Sequence, residues 1–256
     1  MYTKAVKVLL IFAAVLLAIL AVLAIEAYLA VRGPKEKFES PSRVAQQFGN
    51  TGPPLIYAVL GDSTAAGQGA AREAGIAQST ARHLGQAHTV SLTNLAVSGA
   101  RAKDVAAQQL PAAVALKPNL VLISVGANDV THLTRIGAVE KDLGTVFDEL
   151  IKSNCNVKIV VTGSPDLGGA HRFAQPLRQV AGLRSAQLNR TILSLTRRRA
   201  VTFAPIAAET GPSFRRNPEL LADDRFHPNE DGYRLWIDVL NPKLDEALRQ
   251  QPSHCK

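Results

Sequence analysis

"LIYAVLGDSTAAGQG" occupies residues 55–69. Its apolar first half stops at Gly61-Asp62-Ser63, and a run of small residues follows. Gly and Asp form turns readily, so the stretch reads as a buried strand that hands the chain to a tight loop. Two meanings are open for Ser63. It is a small residue suited to the turn, or it is a nucleophile held at the carboxyl end of a strand, where open α/β sheets keep their ligands. The stretch alone does not choose between them.

Outward from it, the same pattern recurs. Apolar, β-branched runs at residues 55–60, 88–97, 119–126 ("NLVLISVG"), 156–163 ("NVKIVVTG") and 200–206 predict five strands. Helical stretches are predicted between and after them, at 72–84, 102–110, 138–153, 177–198 and 230–249. Strands alternating with helices imply a mostly parallel five-stranded sheet covered on both faces. Right-handed crossovers wind it into a three-layer α/β/α sandwich. Residues that follow strands then share one rim of the sheet. Ser63, Ser98-Gly99 and Asn128-Asp129 meet there, joined by "GSPDLGG" at 163–169.

The flanks are different in kind. "VLLIFAAVLLAILAVLAI" at 8–25 is unbroken apolar sequence, and 27–31 extend it past Glu26. At the helical rise such a run approaches the thickness of a bilayer core. The expectation is an uncleaved membrane anchor over residues 1–31, with a cleaved signal peptide as the rival reading; signal peptides carry a shorter apolar core. Lys4 and Lys7 precede the run and place the amino terminus inside, so the domain that follows is expected on the extracytoplasmic side. Arg32, Lys35 and Lys37 follow the run and oppose that orientation. Residues 32–54 hold four prolines and three glycines and read as a linker. The globular domain is expected over 55–250, with a tail at 251–256.

The formal charge is +8, carried in short clusters such as Arg197-Arg198-Arg199 and Arg215-Arg216. These read as solvated helix ends or as a mild attraction to anionic lipid. No basic stripe is interleaved with aromatics, so no nucleic-acid partner is expected. Cys155 and Cys255 make no disulfide framework, and their pairing is left open. No Cys/His spacing suggests a metal, and no cofactor motif is present: Walker A, a complete G-x-G-x-x-G and H-E-x-x-H are all missing. Ala65 stands where a G-x-S-x-G elbow needs its second glycine.

Serine chemistry needs a nucleophile, a base oriented by a carboxylate, and donors for an oxyanion. "DDRFHPNEDG" sets Asp224 three residues before His227, close enough for one loop to carry both. The same segment also reads as an exposed loop, with Asn229 or Asp231 capping the last helix. Gly99 in "NLAVSGA" offers an unshielded N–H or makes a turn. Asn128 in "SVGAND" offers a neutral amide donor or caps a strand end. Asp62 reads as a turn group and Asp129 as the cap of the following helix. His83, His88, His132 and His171 read as surface or loop residues, with His132 near enough to the asparagine to touch a substrate. Trp236 reads as core.

In chain order these motifs resemble the SGNH, or GDSL-type, hydrolase family: "GDST" its nucleophile block, "NLAVSGA" its glycine block, "GAND" its asparagine block and "DRFHPN" its acid–histidine block. Thr64 departs from the name-giving Leu. The resemblance covers residues 55 to about 240. It implies a flavodoxin-like sandwich with Ser63 as nucleophile, His227 as general base and Asp224 as orienting acid. The Ser63 and Gly99 N–H groups and the Asn128 amide would form the oxyanion hole. It implies an esterase using no cofactor on a small-molecule, lipid or acylated-glycan ester; the absence of a long lid insertion favours short or medium acyl chains. A sugar O-deacetylase or acyltransferase would use the same residues. A catalytically silent envelope binding module is a further reading, opposed by intact candidates at every catalytic position.

Overall fold

The structure is a computed structural model that describes residues 3–32, 38, 41 and 43–251. Lys35, Lys37 and Cys255, and with Cys255 its pairing to Cys155, lie outside the described residues. In chain order the elements are α1 (Lys4–Arg32), β1 (Gln46–Phe48), β2 (Pro54–Gly61), α2 (Ser63–Ala66), α3 (Ile76–Leu84), β3 (Thr89–Asn94), α4 (Ala102–Asp104), α5 (Leu110–Leu116), β4 (Leu120–Ser124) and α6 (Ala127–Thr131). They continue with α7 (Ile136–Ser153), β5 (Lys158–Val161), α8 (Leu177–Arg197), β6 (Thr202–Phe203), α9 (Ile206–Arg216) and α10 (Glu230–Arg249).

The strands form one sheet in the order β1-β3-β2-β4-β5-β6. The last five are parallel and carry the flavodoxin-like order, which reverses direction between β2 and β4. β4 is buried along its whole length, and β2 nearly so, because helices cover both faces. Alternation along β2 divides the core. Tyr57 and Val59 pack with Ile76 of α3 and with Tyr233, Trp236 and Leu240 of α10. Ala58 and Leu60 face the other way, toward Leu143 and Phe147 of α7 and Leu188 and Ile192 of α8.

The sheet has six strands rather than the five expected. The addition is β1, which pairs antiparallel with β3, Gln46 opposite Leu92 and Phe48 opposite Val90. It lies inside the stretch read as a linker. Three residues, "QQF", are too few and too polar to show a period, and an edge strand needs only one bonded side. A helix was also missed. "IAAETGPSFRR" forms α9 with Pro212 inside it. Gly211-Pro212 reads as a break, but Ile206, Thr210 and Phe214 fall one helical turn apart on a buried face, and packing outweighs local preference. The helix expected at 102–110 continues to Leu116 through a π turn at Val105–Gln109, with a proline tolerated in the first turn of α5.

α1 is apolar and long enough to cross a membrane over Val6–Leu29, with mean hydropathy 3.4 and none of its most apolar stretch buried against the domain. That is a statement of length and composition, which a signal sequence meets equally.

Candidate active site

β2 and β4 end side by side, and the reversal of strand order opens a crevice beyond them. Gly61 is the last residue of β2. Its φ of +139° is open to glycine, and a Cβ there would stand 1.8 Å from the Ser124 carbonyl oxygen of β4. The side-chain amide of Gln109, from the π turn, grips both backbone groups of Gly61: Nε2 donates to its O and Oε1 accepts from its N, each at 2.8 Å. Asp62 then caps α2 by accepting the Thr64 N–H at 2.9 Å. Ser63 opens that helix, buried but for 6 %.

Thr64, the departure from the name-giving leucine, is bonded on two sides. Its hydroxyl donates to Asp62 Oδ1 at 2.7 Å and meets Ser124 Oγ at 2.9 Å, and Thr162 donates to Ser124 in turn. This buried row of hydroxyls ties the ends of β2, β4 and β5 together behind Ser63. Asp62 Oδ2 has no partner among the described residues. Burial pushes the Asp62 carboxyl up to about 6, against the pull of its Thr64 bonds and of His227.

His227 approaches from the loop before α10. Its Nε2 stands 2.8 Å from Ser63 Oγ, and its Nδ1 stands 2.5 Å from Asp224 Oδ2. Asp224 Oδ1 accepts the backbone N–H groups of Phe226 and His227, which fold the segment into a tight turn. Burial pulls the Asp224 carboxyl upward. The His227 ring and those two N–H groups outweigh it and hold the group below the ordinary carboxylate range. Asn229, not Asp231, caps α10, accepting the Gly232 N–H.

Gly99 and Asn128 line the same cleft as Ser63 and His227. Gly99 has φ +83°, and a Cβ there would meet nothing within 4 Å. Conformation rather than crowding therefore calls for glycine. Asn128 donates one amide hydrogen to Ala100 O at 3.1 Å, which steers the other hydrogen and ties the amide to the Gly99 loop. Asp129 does not cap the following helix as expected. It lies within α6, and its Oδ2 accepts the Ala102 N–H at 2.9 Å, at the first turn of α4. Ala102, the first residue of α4, lies 27 residues earlier in the chain and is brought beside it by the fold. All five predicted site positions thus converge.

Asn94 escaped the sequence reading, although it opens the quoted "NLAVSGA" block. It donates to Ala65 O and accepts the Ala96 N–H, fastening the glycine loop to α2. Gln109 left no local signal. His132 turns its Nδ1 onto Asn128 O and does not line the cleft. His83 meets Asp245, His88 the Leu84 carbonyl, and His171 the Phe214 carbonyl. Trp236 is core, edge-on to Phe214 and Tyr233.

The cleft measures about 480 Å³ and continues between Leu133, Phe173, Leu177, Val180 and Phe226. A hydroxyl beside an imidazole and an imidazole backed by a carboxylate, in a cleft that Gly99 and Asn128 also line, are parts that ester cleavage can use.

A flavodoxin-like sandwich with these motifs at its switch point defines the SGNH class of ester hydrolases. The chain belongs to the GDSL-like Lipase/Acylhydrolase family, whose description matches residues 59–235. It is 32 % identical over 201 residues to the GDSL-like esterase Rv1075c of Mycobacterium tuberculosis, a match covering 75 % of this chain and 62 % of that protein. The chain therefore matches less than two thirds of that relative's length. The fold is similar to that of the lipase Lip_vut3 from a goat rumen metagenome, with TM-score 0.63, 20 % identity, and coverage of 74 % of this chain and 97 % of the other. It is also similar to a Clostridium thermocellum family 3 carbohydrate esterase, with TM-score 0.62, 18 % identity, and coverage of 77 % and 98 %.

Proposed function

We propose that this chain is a membrane-tethered serine ester hydrolase that cleaves carboxylic esters of short or medium acyl chains through an acyl-enzyme on Ser63. The observation that carries this reading is the unbroken hydrogen-bonded line Asp224–His227–Ser63, opening into a cleft that also holds Gly99 and Asn128. Ser63 Oγ attacks the ester carbonyl as its proton passes to His227 Nε2. Asp224 holds the ring so that Nε2 faces the serine and stabilises the imidazolium that forms. The carbonyl oxygen, now anionic, takes hydrogen bonds from the Ser63 and Gly99 N–H groups and the free Asn128 amide hydrogen. His227 returns its proton to the leaving alcohol. Water, deprotonated by His227, then attacks the acyl carbon, and Ser63 recovers its proton as the acid leaves.

Residues 1–31 serve as the anchor and 32–54 as the linker, whose last part lends β1 to the sheet, with the hydrolase unit over 55–250. Lys4 and Lys7 support an inside amino terminus and an extracytoplasmic catalytic domain.

The test is a fluorophosphonate probe with peptide mapping, paired with a chain-length panel of p-nitrophenyl esters and an acetylated sugar. Ser63 is the expected site of labelling, and Ser63→Ala abolishes both labelling and hydrolysis without unfolding the domain. Labelling at Ser98 or Ser164 instead, or near-normal turnover in Ser63→Ala, overturns the assignment.

A further inference from the structure

α1 does not end free of the domain. Glu26, the one acidic residue in the apolar helix, accepts the backbone N–H of Leu177 at 2.9 Å. Leu177 is the first residue of α8, so the carboxylate caps that helix where its exposed N–H groups and dipole favour negative charge. The next residue, Ala27, lines the catalytic cleft itself. The last turns of the apolar helix are therefore part of the wall of the site. Over Val6–Leu29 the helix spans about 36 Å, a little more than the roughly 30 Å of hydrocarbon it must cross. Glu26 then lies where the helix leaves the bilayer, and the mouth of the cleft lies beside it.

The surface around that mouth has the matching chemistry. Leu133 is 70 % exposed, Val180 45 % and Leu183 73 %, and Val180 and Leu183 follow Leu177 at three-residue steps along α8. Apart from Ile56 and Val44, these are the large apolar side chains that the described domain leaves in the open. Ile25, Tyr28 and Leu29 continue the apolar surface from α1. Arg172 and Arg184 line the cleft next to this lip, and Arg184 donates to the Thr134 carbonyl there.

We infer that the Glu26–Leu177 junction seats the catalytic cleft on the bilayer, with Leu133, Val180 and Leu183 in the lipid interface, and that the ester it takes is an amphiphile dissolved in that same membrane. This rests on the proposed ester hydrolase and names the source of its substrate. The acyl chain passes from the lipid between Leu133 and Val180 to Ser63 without crossing water. The Glu26–Leu177 junction, and not the length of the linker, then sets the distance of the cleft from the membrane.

The test uses the full chain in phosphatidylcholine vesicles. Leu183→Cys carries an environment-sensitive fluorophore, and Arg197→Cys at the far end of α8 is the control, about 21 Å along the helix; the unsubstituted chain is treated in parallel to measure background labelling. Emission at position 183 shifts to the blue and is quenched by lipids brominated in the acyl chain, and emission at 197 is not. Glu26→Ala weakens that quenching. Leu183→Asp lowers hydrolysis of a vesicle-embedded monoacyl ester about tenfold, since a charge opposes interfacial burial, and leaves a water-soluble p-nitrophenyl ester within twofold. A water-like signal at 183, or burial there without quenching by lipid as a second copy would produce, overturns the inference. So does equal loss on both esters in Leu183→Asp. Wild-type protein that cleaves neither ester refutes the hydrolase reading and the substrate drawn from it, and the quenching then decides the seating by itself.

Discussion

Two buried carboxylates flank the nucleophile, and their surroundings drive them in opposite directions. Asp224 is held low by the His227 ring and two N–H groups, and Asp62 is pushed up to about 6 by burial. Asp62 binds more protons folded than unfolded between about pH 4 and 6, so its contribution to stability falls as pH rises through that window. Asp62→Asn removes this dependence. In urea titrations the stability of the variant relative to wild type should rise by about 2 kcal/mol from pH 4 to pH 7.5, most of the free-energy equivalent of the shift. A constant difference across that range would show that Asp62 does not titrate this way. Asp224 has the reverse sign: what it contributes is present at neutral pH and is lost as pH falls through its depressed value. Asp224→Asn should lower kcat severely with KM little changed, because the ring loses its orientation. Asn128 is judged by its transition-state character. Asn128→Ala should cost about 10²–10³ in kcat, and Asn128→Asp at least as much, since an ionised carboxylate repels the oxyanion and has no donor. Near-normal turnover in Asn128→Asp would leave the hole to backbone groups alone.

At the scale of elements, β1 shields the edge of the sheet. It covers one side of β3, whose N–H and C=O groups would otherwise be an open template for another chain. A chain beginning at residue 40 keeps β1; one beginning at residue 51 does not. The longer form should stay monomeric in size-exclusion chromatography, whereas the shorter form should melt lower and aggregate. Equal midpoints and equal solubility would mean that β1 contributes nothing. The π turn has a comparable local role. It turns Gln109 inward to hold both backbone groups of Gly61, and Gln109→Leu takes the acceptor from the buried Gly61 N–H, at a cost of about 1–3 kcal/mol, while Gly61 O keeps the Val97 N–H.

For the whole molecule, the anchor and the chemistry are separable on soluble substrates. The chain beginning at residue 40 should leave the membrane fraction and still hydrolyse p-nitrophenyl butyrate, since it keeps Ser63, Gly99, Asn128, Asp224 and His227 and loses only the part of the cleft wall that Ala27 supplies; complete loss of turnover in a folded domain would make the helix part of the chemistry. Full-length protein should stay with membranes through high salt and alkaline washes. Release by salt alone would assign the attachment to basic clusters, whose hold is screened by ions.

Much of this was legible in the chain. Buried parallel strands are read as continuous apolar runs, so β2, β4 and β5 announced themselves, and with the less apolar β3 their order placed Ser63, Gly99 and Asn128 on one rim. The Asp224–His227 spacing was legible because one short turn carries both. β1, α9 and the continuation of α4 into α5 were not. Their residues are polar, few or broken by proline, and only the edge or face they pack against makes them regular. Asp129 misled for a related reason: its partner, Ala102, is far off in sequence and near only across the sheet. The amino acids by themselves determined the apolar helix, the α/β alternation and the motifs in order, because these depend on local period and chemistry. Tertiary structure alone decided which backbone groups Gln109 and Asn94 would hold, and that Glu26 would reach Leu177. Those contacts join residues 48, 29 and 151 positions apart, and no local pattern encodes a partner at that distance.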